Sequence, residues 1–152
     1  MANEAGPRTV AHELRLSRPG APPSYFHGLT MRPHLVEGDL VETEPVDAAA
    51  VRLGDVVTYR HEDKFPTRRV VWRDRTRRTF TIMGDSIPDR QEYVVPYDDV
   101  IARLVRRRRG DEWLSTADLP WRWQTIKVMV RECLRRSRWT LPLRWVTRPV
   151  RR

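Results

Sequence analysis

One stretch decides the fold of this chain: Gly28-Leu29-Thr30-Met31-Arg32-Pro33-His34-Leu35-Val36-Glu37-Gly38-Asp39-Leu40-Val41. Near its end, Gly38 comes just before residues 40–44, where apolar and charged residues alternate. This arrangement is typical of a turn that leads into a half-buried β-strand. Glycine is scarce in the chain, with seven residues in 152, so a glycine at such a boundary indicates a backbone shape that other residues adopt poorly. The stretch therefore predicts a turn that carries the hydroxyl of Thr30 ahead of a strand.

Further β signals continue from residue 25 to about residue 109. Short runs rich in β-branched residues predict strands at residues 55–60, 68–72, 79–83 and 100–105, with residues 61–67 as a hairpin loop. Gly54 precedes the first of these strands and Gly84 follows the third, as turn glycines do. We therefore expect a mainly β domain over residues 25–110.

The regions on either side of this domain differ from it in composition. Residues 1–24 are polar and contain four prolines, which predicts an N-terminal arm or linker. Residues 121–138 have helical spacing, with cations largely off an apolar stripe formed by Trp123, Ile126, Val130, Cys133 and Leu134. We expect residues 111–152 to form a basic, Trp-rich amphipathic helix or arm.

The excess positive charge lies in the C-terminal part of the chain. The net charge is +9, yet ten of the 29 Lys and Arg residues and only one of the 20 Asp and Glu residues lie at position 121 or later. The rest of the chain is neutral, which indicates one adhesive appendage rather than a basic nucleic-acid-binding domain. A single cysteine, Cys133, excludes an intrachain disulfide. No run of 18 apolar residues and no signal-peptide core occur, so we expect neither a membrane-spanning helix nor a cleaved leader.

Five boxes of this sequence resemble, in order, those of type I signal peptidases and LexA-type self-cleaving repressors. In that superfamily the nucleophile box reads Gly-x-Ser-Met-x-Pro and leads into Gly-Asp and a strand, much as residues 28–41 do here. The later boxes are a second Gly-Asp strand at 54–57, a base strand at 68–71, a late Gly-Asp at 84–85 with Asp89 downstream, and a closing strand at 100–105. The resemblance spans roughly residues 25–106 and implies a coiled, mostly antiparallel β domain.

The resemblance gives each matching position an expected role. The nucleophile would be Thr30 and the base Arg68, while the oxyanion and nucleophile turn would hold Gly28, Leu29, Met31 and Pro33. The supporting positions would be Gly38, Asp39, Gly54, Asp55, Arg69, Gly84, Asp85 and Asp89. Among these, Arg69 is expected to pair with a late aspartate. Neither a cofactor nor a metal is implied.

This sequence departs from the superfamily at both reacting positions. Thr30 replaces the nucleophilic serine, and its hydroxyl is secondary and restricted in its rotamers. Arg68 replaces the lysine or histidine base, and a guanidinium stays protonated near neutral pH, so it cannot accept a proton. If the alignment were shifted by one residue, Arg69 would occupy the base position, and it is also an arginine. The ordinary cleavage mechanism therefore fails on this sequence.

Several alternatives remain open at this site. Four groups are candidates to replace the base: Lys64 and His61 in the predicted hairpin loop, and His27 and His34 beside the nucleophile turn. Each of them is more commonly a solvated, capping or packing residue. Arg68 could instead form an ion pair with Asp85 or Asp89. A degenerate site would still bind an extended strand, which needs no base, and Thr30 with Arg68 could hold a peptide carbonyl or carboxylate.

Two basic surfaces are open to more than one interpretation. Arg103 and residues 106–109 resemble a phosphate-binding run, although Gly110-Asp111-Glu112 follow and favour a solvated hairpin end. The surface residues of the predicted helix are Arg122, Lys127, Arg131, Arg135 and Arg136. Together with tryptophans at 121, 123, 139 and 145, they suit an interfacial helix at an anionic bilayer. Alternatively, the apolar stripe packs on the β domain or on a partner protein.

We expect a signal-peptidase-like domain that is catalytically degenerate and binds an extended peptide or partner protein, with peripheral contact to an anionic membrane through residues 121–152. The alternative is an active processing endopeptidase with Thr30 as nucleophile. A second alternative is a membrane-surface or nucleic-acid adaptor acting through the basic tail. Nucleic acid is the least favoured partner, because the 24 residues ahead of the β domain are too few for a helix-turn-helix region. The resemblance implies a bacterial protein, and we expect it in the cytoplasm, associated with the inner face of the membrane.

Overall fold

The structure, a computed structural model, describes residues 21–86 and 91–140, with side chains as far as Ser137. In these ranges the chain forms β1 (Ser24–Tyr25), β2 (Leu40–Pro45), β3 (Val56–Tyr59), β4 (Thr67–Asp74), β5 (Thr79–Met83), β6 (Tyr93–Pro96), β7 (Val100–Arg109), β8 (Glu112–Ser115) and the helix α1 (Leu119–Thr140). The prediction of a mainly β fold is confirmed. Most of the predicted N-terminal arm, Asp89 and the tail beyond residue 140 lie outside the described residues.

The eight strands form one antiparallel sheet in the order β1-β2-β7-β3-β4-β5-β6, with β8 paired to β7. The long strand β7 organises the sheet, because β2 runs along one of its edges while β3 and β8 share the other. The pairing register shifts between Glu42 and Thr43, between Thr58 and Tyr59, and between Val70 and Trp72. Such bulges bend a strand and increase its twist, which accounts for the curling of the sheet into half a barrel.

The curled sheet buries apolar side chains on both of its faces. One core cluster consists of Val51, Val57, Tyr59, Val70, Phe80, Ile82, Val95, Tyr97 and Val100. A second cluster combines Phe26, Met31, Leu35, Val41, Val56, Leu104 and Trp121. Successive residues of a strand point to opposite faces, so Val56 and Val57 enter different clusters, and every residue of β3 is buried.

The strands predicted near residues 40–44, 55–60, 68–72, 79–83 and 100–105 are present as β2, β3, β4, β5 and β7. The sequence pattern does not predict β1, β6 or β8, which have two, four and four residues. β1 is too short to establish a period of two, whereas β6 and β8 are as long as the predicted β3, so their length does not explain why the pattern misses them. Because β8 pairs with the end of β7, the sheet extends past the predicted boundary at residue 110 to Ser115.

The helix α1 docks on the sheet through one narrow side. Trp121, Val128 and Glu132 are buried, and Thr125 lies against Gly54; their spacing of four, three and four residues puts them on one side of a helix. The predicted stripe faces away, with Trp123, Ile126, Val130 and Leu134 exposed by 60%, 49%, 52% and 60%. The alternative in which this stripe packs on the β domain is therefore wrong, because Trp121 and Thr125 fix the rotation of the helix. No helix within the described ranges is long and apolar enough to cross a membrane.

Candidate functional site

The turn that carries Thr30 is held by its backbone and by buried neighbours. Met31 and Leu35 are fully buried, and the Leu35 amide donates to the Met31 carbonyl at 3.0 Å. The Ser86 amide donates to the Thr30 carbonyl at 2.9 Å, which ties the turn to the late Gly-Asp segment. Leu29, by contrast, is 54% exposed. The turn is thus fixed from inside while Thr30 stays half-buried.

Thr30 and Arg68 line the same groove, which has a volume of about 360 Å³. One wall is β1 with the segment that leads through Gly28 into the turn, and the other wall is the segment of residues 65–68 at the start of β4. The lining includes the apolar side chains of Phe26, Val41, Phe65 and Pro66 and the hydroxyls of Ser24, Thr58 and Thr67. The sequence does not indicate whether the nucleophile and base positions meet. The structure brings both of them to one groove.

Arg68 is a fixed cation at the position expected to hold a base. It is half-buried and donates from Nη1 to the Thr67 carbonyl at 2.9 Å. Burial raises the pKa of the nearby Tyr59 phenol, and the positive charge of Arg68 opposes that rise only in part. A phenol whose pKa is raised stays protonated near neutral pH, so Tyr59 does not take over as the base.

His27 is the one candidate for a replacement base that lines the groove with Thr30. Its Nδ1 atom lies 3.8 Å from Glu37 Oε1, and the two side chains are 79% and 60% exposed. This separation exceeds a hydrogen bond, and exposed pairs of this kind orient each other weakly. Thr30, His27 and Glu37 have the residue types of a hydroxyl–imidazole–carboxylate triad. The His27 imidazole and the Glu37 carboxylate, however, are not hydrogen-bonded to each other as they are in such a triad.

The other three candidates for a replacement base do not line the groove. His61 and Lys64 face each other in the β3–β4 hairpin, joined by two backbone hydrogen bonds of 3.0 Å, and both are exposed. His34 is 4% exposed, and its Nδ1 lies 2.8 Å from Asp85 Oδ2. These residues therefore belong to the hairpin and to the interior rather than to the groove.

A buried ion pair joins β4 to the late Gly-Asp segment. Arg69 is fully buried and holds Asp85 through two bonds, Nε to Oδ1 at 2.7 Å and Nη2 to Oδ2 at 2.6 Å. Its Nη1 donates to the Gly54 carbonyl at 2.7 Å and to the Thr125 hydroxyl at 3.0 Å. This is the pairing expected for Arg69, and it links three segments of the chain through one guanidinium.

The Asp85 carboxylate stays charged although it is buried beside Gly84. Burial opposes its ionisation, but the hydrogen bonds and charge of Arg69, with His34 beside them, hold the pKa of Asp85 below its usual range. The Trp121 ring covers the pair, with its centroid 5.8 Å from Arg69 Cζ and 5.7 Å from the His34 ring, which it meets edge to face. The first turn of α1 thus closes over a charged cluster inside the protein.

The first Gly-Asp box, Gly38-Asp39, supports the turn that precedes β2. Asp39 accepts a hydrogen bond from the Val36 amide at 2.9 Å and binds Nε and Nη2 of Arg109, each at 2.8 Å. Arg109 Nη2 also lies 3.4 Å from the Pro33 carbonyl. The aspartate therefore fixes the far end of the turn to β7 and has no place in the groove lining.

The second box, Gly54-Asp55, supports both the sheet and the helix. Asp55 Oδ2 accepts from the Arg52 amide at 2.9 Å, which closes the turn before β3. Gly54 has a φ of +91°, and a Cβ added there would lie 2.7 Å from Thr125 Cγ2. Glycine is therefore required at position 54 for two reasons: the backbone conformation and the close approach of α1.

The arginine run of β7 is largely neutralised by carboxylates on and before β2. Arg103 binds Glu44, Arg106 binds Glu42 and Arg109 binds Asp39. Arg106 and Arg108 also lie over the ring of Trp113 on β8, at 4.4 and 5.6 Å from its centroid. These contacts agree with the prediction that the run lies at the end of a hairpin. Most arginines of the run are bound to carboxylates or to the Trp113 ring, which disfavours the phosphate-binding alternative.

The five basic residues predicted as the helix surface fall into two groups. Arg135 and Arg136 bind the buried Glu132 and also Glu92, next to β6, so they anchor the helix to the sheet. Arg122 and Lys127 are exposed and Arg131 is half-buried. Lys127 Nζ lies 5.6 Å from the centroid of the Trp123 ring, on the outward side of α1.

The sequence pattern predicts only part of the groove walls and does not predict the anchor of the helix. Ser24 and Phe65 belong to a two-residue strand and to a hairpin loop, and neither carries a motif. Glu132 did carry a signal, because it lies three and four residues ahead of Arg135 and Arg136, the spacing of ion pairs on a helix. In the part of the chain that the structure describes, no three His, Cys, Asp or Glu side chains come together to hold a metal.

Fold and groove together define a class of protein: a mainly β domain with one curled antiparallel sheet, a C-terminal helix, and a groove that holds a hydroxyl and an arginine. No protein-family model matches the chain, and no curated protein matches it significantly. Its function is therefore inferred from the groove and from the sequence motifs.

Proposed function

We propose that the groove of Thr30 and Arg68 binds an extended peptide without cutting it, and that the chain is a degenerate relative of the signal-peptidase and LexA superfamily. One observation carries this proposal: the nucleophile and base positions line one groove, and the base position holds an arginine. The relationship is supported by the strand boxes, since the boxes at 68–71 and 100–105 lie in the strands β4 and β7 and Gly54-Asp55 leads directly into β3.

The groove offers a peptide the edge of a sheet. β1 is an end strand that pairs with β2, and both of its residues line the groove. An extended segment can add to such an edge through main-chain hydrogen bonds, which need no catalytic group. Phe26 and Phe65 contribute apolar surface, so pockets for apolar side chains lie beside the edge.

The polarity of the groove favours a peptide that brings acceptors. Among the described residues that line it there is no carboxylate, and Arg68 supplies a permanent positive charge. A peptide carbonyl or carboxylate gains a charge-assisted hydrogen bond from a guanidinium. The same guanidinium cannot remove the proton of Thr30. Binding is retained on this account and the usual route to cleavage is lost.

A library of short extended peptides tests binding and cleavage together. The protein is incubated with the library, and retained peptides, cleavage products and the protein's own termini are measured by mass spectrometry. Arg68→Met is compared with Arg75→Met, a matched change at an exposed position. Wild type is expected to retain uncut peptides, and Arg68→Met to retain them about tenfold more weakly, as for one lost charge-assisted bond. Arg75→Met should match wild type, and Thr30→Ser/Arg68→Lys should cut.

Two results would contradict the proposal. Cleavage by wild type that disappears in Thr30→Ala makes the chain an active peptidase. Equal retention of peptides by Arg68→Met and Arg75→Met removes Arg68 from the binding site.

The second candidate function is an active endopeptidase, and the position of His27 favours it. His27 lines the groove with Thr30, and Glu37 lies 3.8 Å away. In this mechanism the Thr30 proton passes to His27 as the hydroxyl forms an ester with the peptide carbonyl, then to the leaving amine, and water hydrolyses the ester. Cleavage by wild type that is lost in both Thr30→Ala and His27→Asn supports this candidate, whereas cleavage that survives His27→Asn removes it.

A further inference from the structure

An apolar face of α1 points away from the rest of the described structure. Trp123, Ile126, Val130 and Leu134 are spaced by three, four and four residues, so they share one side of the helix, and each is about half exposed or more. The opposite side, with Trp121 and Val128, supplies the contacts with the sheet. The outward face is therefore not needed for docking of the helix, and a contiguous apolar stripe of this kind marks an interaction surface.

The charge around this face is positive. Arg122 and Lys127 are exposed, and Lys127 lies over the ring of Trp123. The single acid of the described helix side chains, Glu132, is buried on the docking side and is bound there by two arginines. Viewed from solvent, α1 thus combines an apolar stripe, a tryptophan and unneutralised cations.

We infer that this outward face of α1 docks on an anionic lipid bilayer. Apolar side chains of an interfacial helix enter the headgroup boundary, tryptophan prefers that depth, and flanking cations gain from anionic headgroups. A second copy of the chain is a poorer occupant, because an isologous contact would bring Arg122 and Lys127 against like charges. Trp121 takes no part, since it covers the buried Arg69. The inference does not depend on what the groove binds.

Sedimentation of the full chain with vesicles tests this surface. One set of vesicles contains phosphatidylcholine with about one third phosphatidylglycerol, and the other contains phosphatidylcholine alone. Val130→Glu is matched by Val94→Glu, an equivalent change at the exposed edge strand β6. Lys127→Gln is matched by Lys64→Gln in the exposed hairpin. Circular dichroism and urea unfolding of each variant establish that all are folded.

We expect wild type to sediment with the anionic vesicles and not with the neutral ones, and to be released at high salt. Val130→Glu should weaken binding at least about tenfold and Lys127→Gln about fivefold, while both control variants bind as wild type does. Three outcomes would overturn the inference: no sedimentation with anionic vesicles, a folded Val130→Glu that binds as tightly as wild type, or equal loss in Val130→Glu and Val94→Glu. A dimer that Val130→Glu abolishes, seen by analytical ultracentrifugation without vesicle binding, would identify a second copy as the occupant instead.

Discussion

The two arginines that follow each other on β4 have opposite surroundings. Arg68 is half-buried and lines the open groove, whereas Arg69 is fully buried and binds Asp85 through two hydrogen bonds. Successive residues of a strand point to opposite sides, so one strand serves both the groove and the interior. The charge of Arg69 is neutralised inside the protein, whereas Arg68 lies at the groove.

This contrast separates the part of the motif that maintains the fold from the part that would do chemistry. Arg69, Asp85 and the Gly54 carbonyl bind one another inside the protein, and removing one partner of such a set leaves an uncompensated buried charge. Arg68 is not part of this buried set, because it is half-buried and lines the groove. The internal support can therefore stay complete while the reacting positions change.

The largest predicted effect follows directly from this contrast. Arg69→Met leaves the buried Asp85 with only His34 beside it, so we expect a loss of about 3 to 5 kcal/mol in the free energy of unfolding. Arg68→Met is the same change one residue earlier, at a half-buried position, and should cost less than about 1 kcal/mol. Urea unfolding of the two variants beside wild type measures the difference.

A double variant distinguishes loss of the pair from general damage to the core. Arg69→Met/Asp85→Leu removes both charges, so its cost should be smaller than the sum of the two single variants. Equal losses in Arg69→Met and Arg68→Met would show that the two sides of β4 do not differ energetically in the way that their burial indicates.

Much of the fold can be predicted from the sequence because its signals are local. The strands β2, β3, β4, β5 and β7 carry β-rich runs, and turn glycines lie beside β2, β3, β5 and β7. The pairing of Arg69 with a late aspartate is expected from the resemblance rather than from a local signal. What could not be predicted depends on three-dimensional approach, such as the groove wall made by Phe65.

The orientation of α1 is the clearest case of a feature that the sequence leaves undecided. Two sides of the helix have regular spacing, one with Trp121 and Val128 and the other with Trp123 and Val130. The second side is the more continuous stripe, so the sequence pattern favours it. The side that packs is chosen by the fit of Thr125 against Gly54 and by the Arg69 cluster, which are long-range contacts.

A smaller effect is expected where the helix meets the turn before β3. Gly54→Ala puts a Cβ 2.7 Å from Thr125 Cγ2 at a φ of +91°, so we expect a loss of about 2 to 4 kcal/mol. Thr125→Ser removes the clashing methyl but keeps the hydroxyl that accepts from Arg69, so it should recover about 1 kcal/mol of that loss. Thermal and urea unfolding of the single and double variants test this coupling.

Gly110 provides the matched control for this prediction. It has a φ of +59°, and nothing lies within 4 Å of an added Cβ, so Gly110→Ala should cost only the backbone strain, about 1 to 2 kcal/mol. A Gly54→Ala loss no larger than that of Gly110→Ala would mean that α1 does not approach Gly54 closely, and the rotation of the helix would then need another cause.

The smallest expected effect concerns acid. Burial opposes ionisation of Asp39, but the hydrogen bonds of Arg109 and of the Val36 amide outweigh it and lower the pKa of Asp39. A carboxyl with a lower pKa when folded adds stability above its unfolded value, about 3.9, and this stability is lost as pH falls through the folded value. The free energy of unfolding should therefore decline below about pH 4, by at most about 1.4 kcal/mol per pH unit for each such group.

Asp39→Asn should make this decline less steep, while Asp63→Asn in the exposed hairpin should leave the wild-type slope. Urea unfolding at a series of pH values gives the slope for each protein. The pKa of Asp85 is lowered as well, so part of the decline should persist in Asp39→Asn. A slope that Asp39→Asn does not change would mean that the pair with Arg109 near the protein surface adds little, and that acid acts on the fold through other buried carboxylates, Asp85 and Glu132.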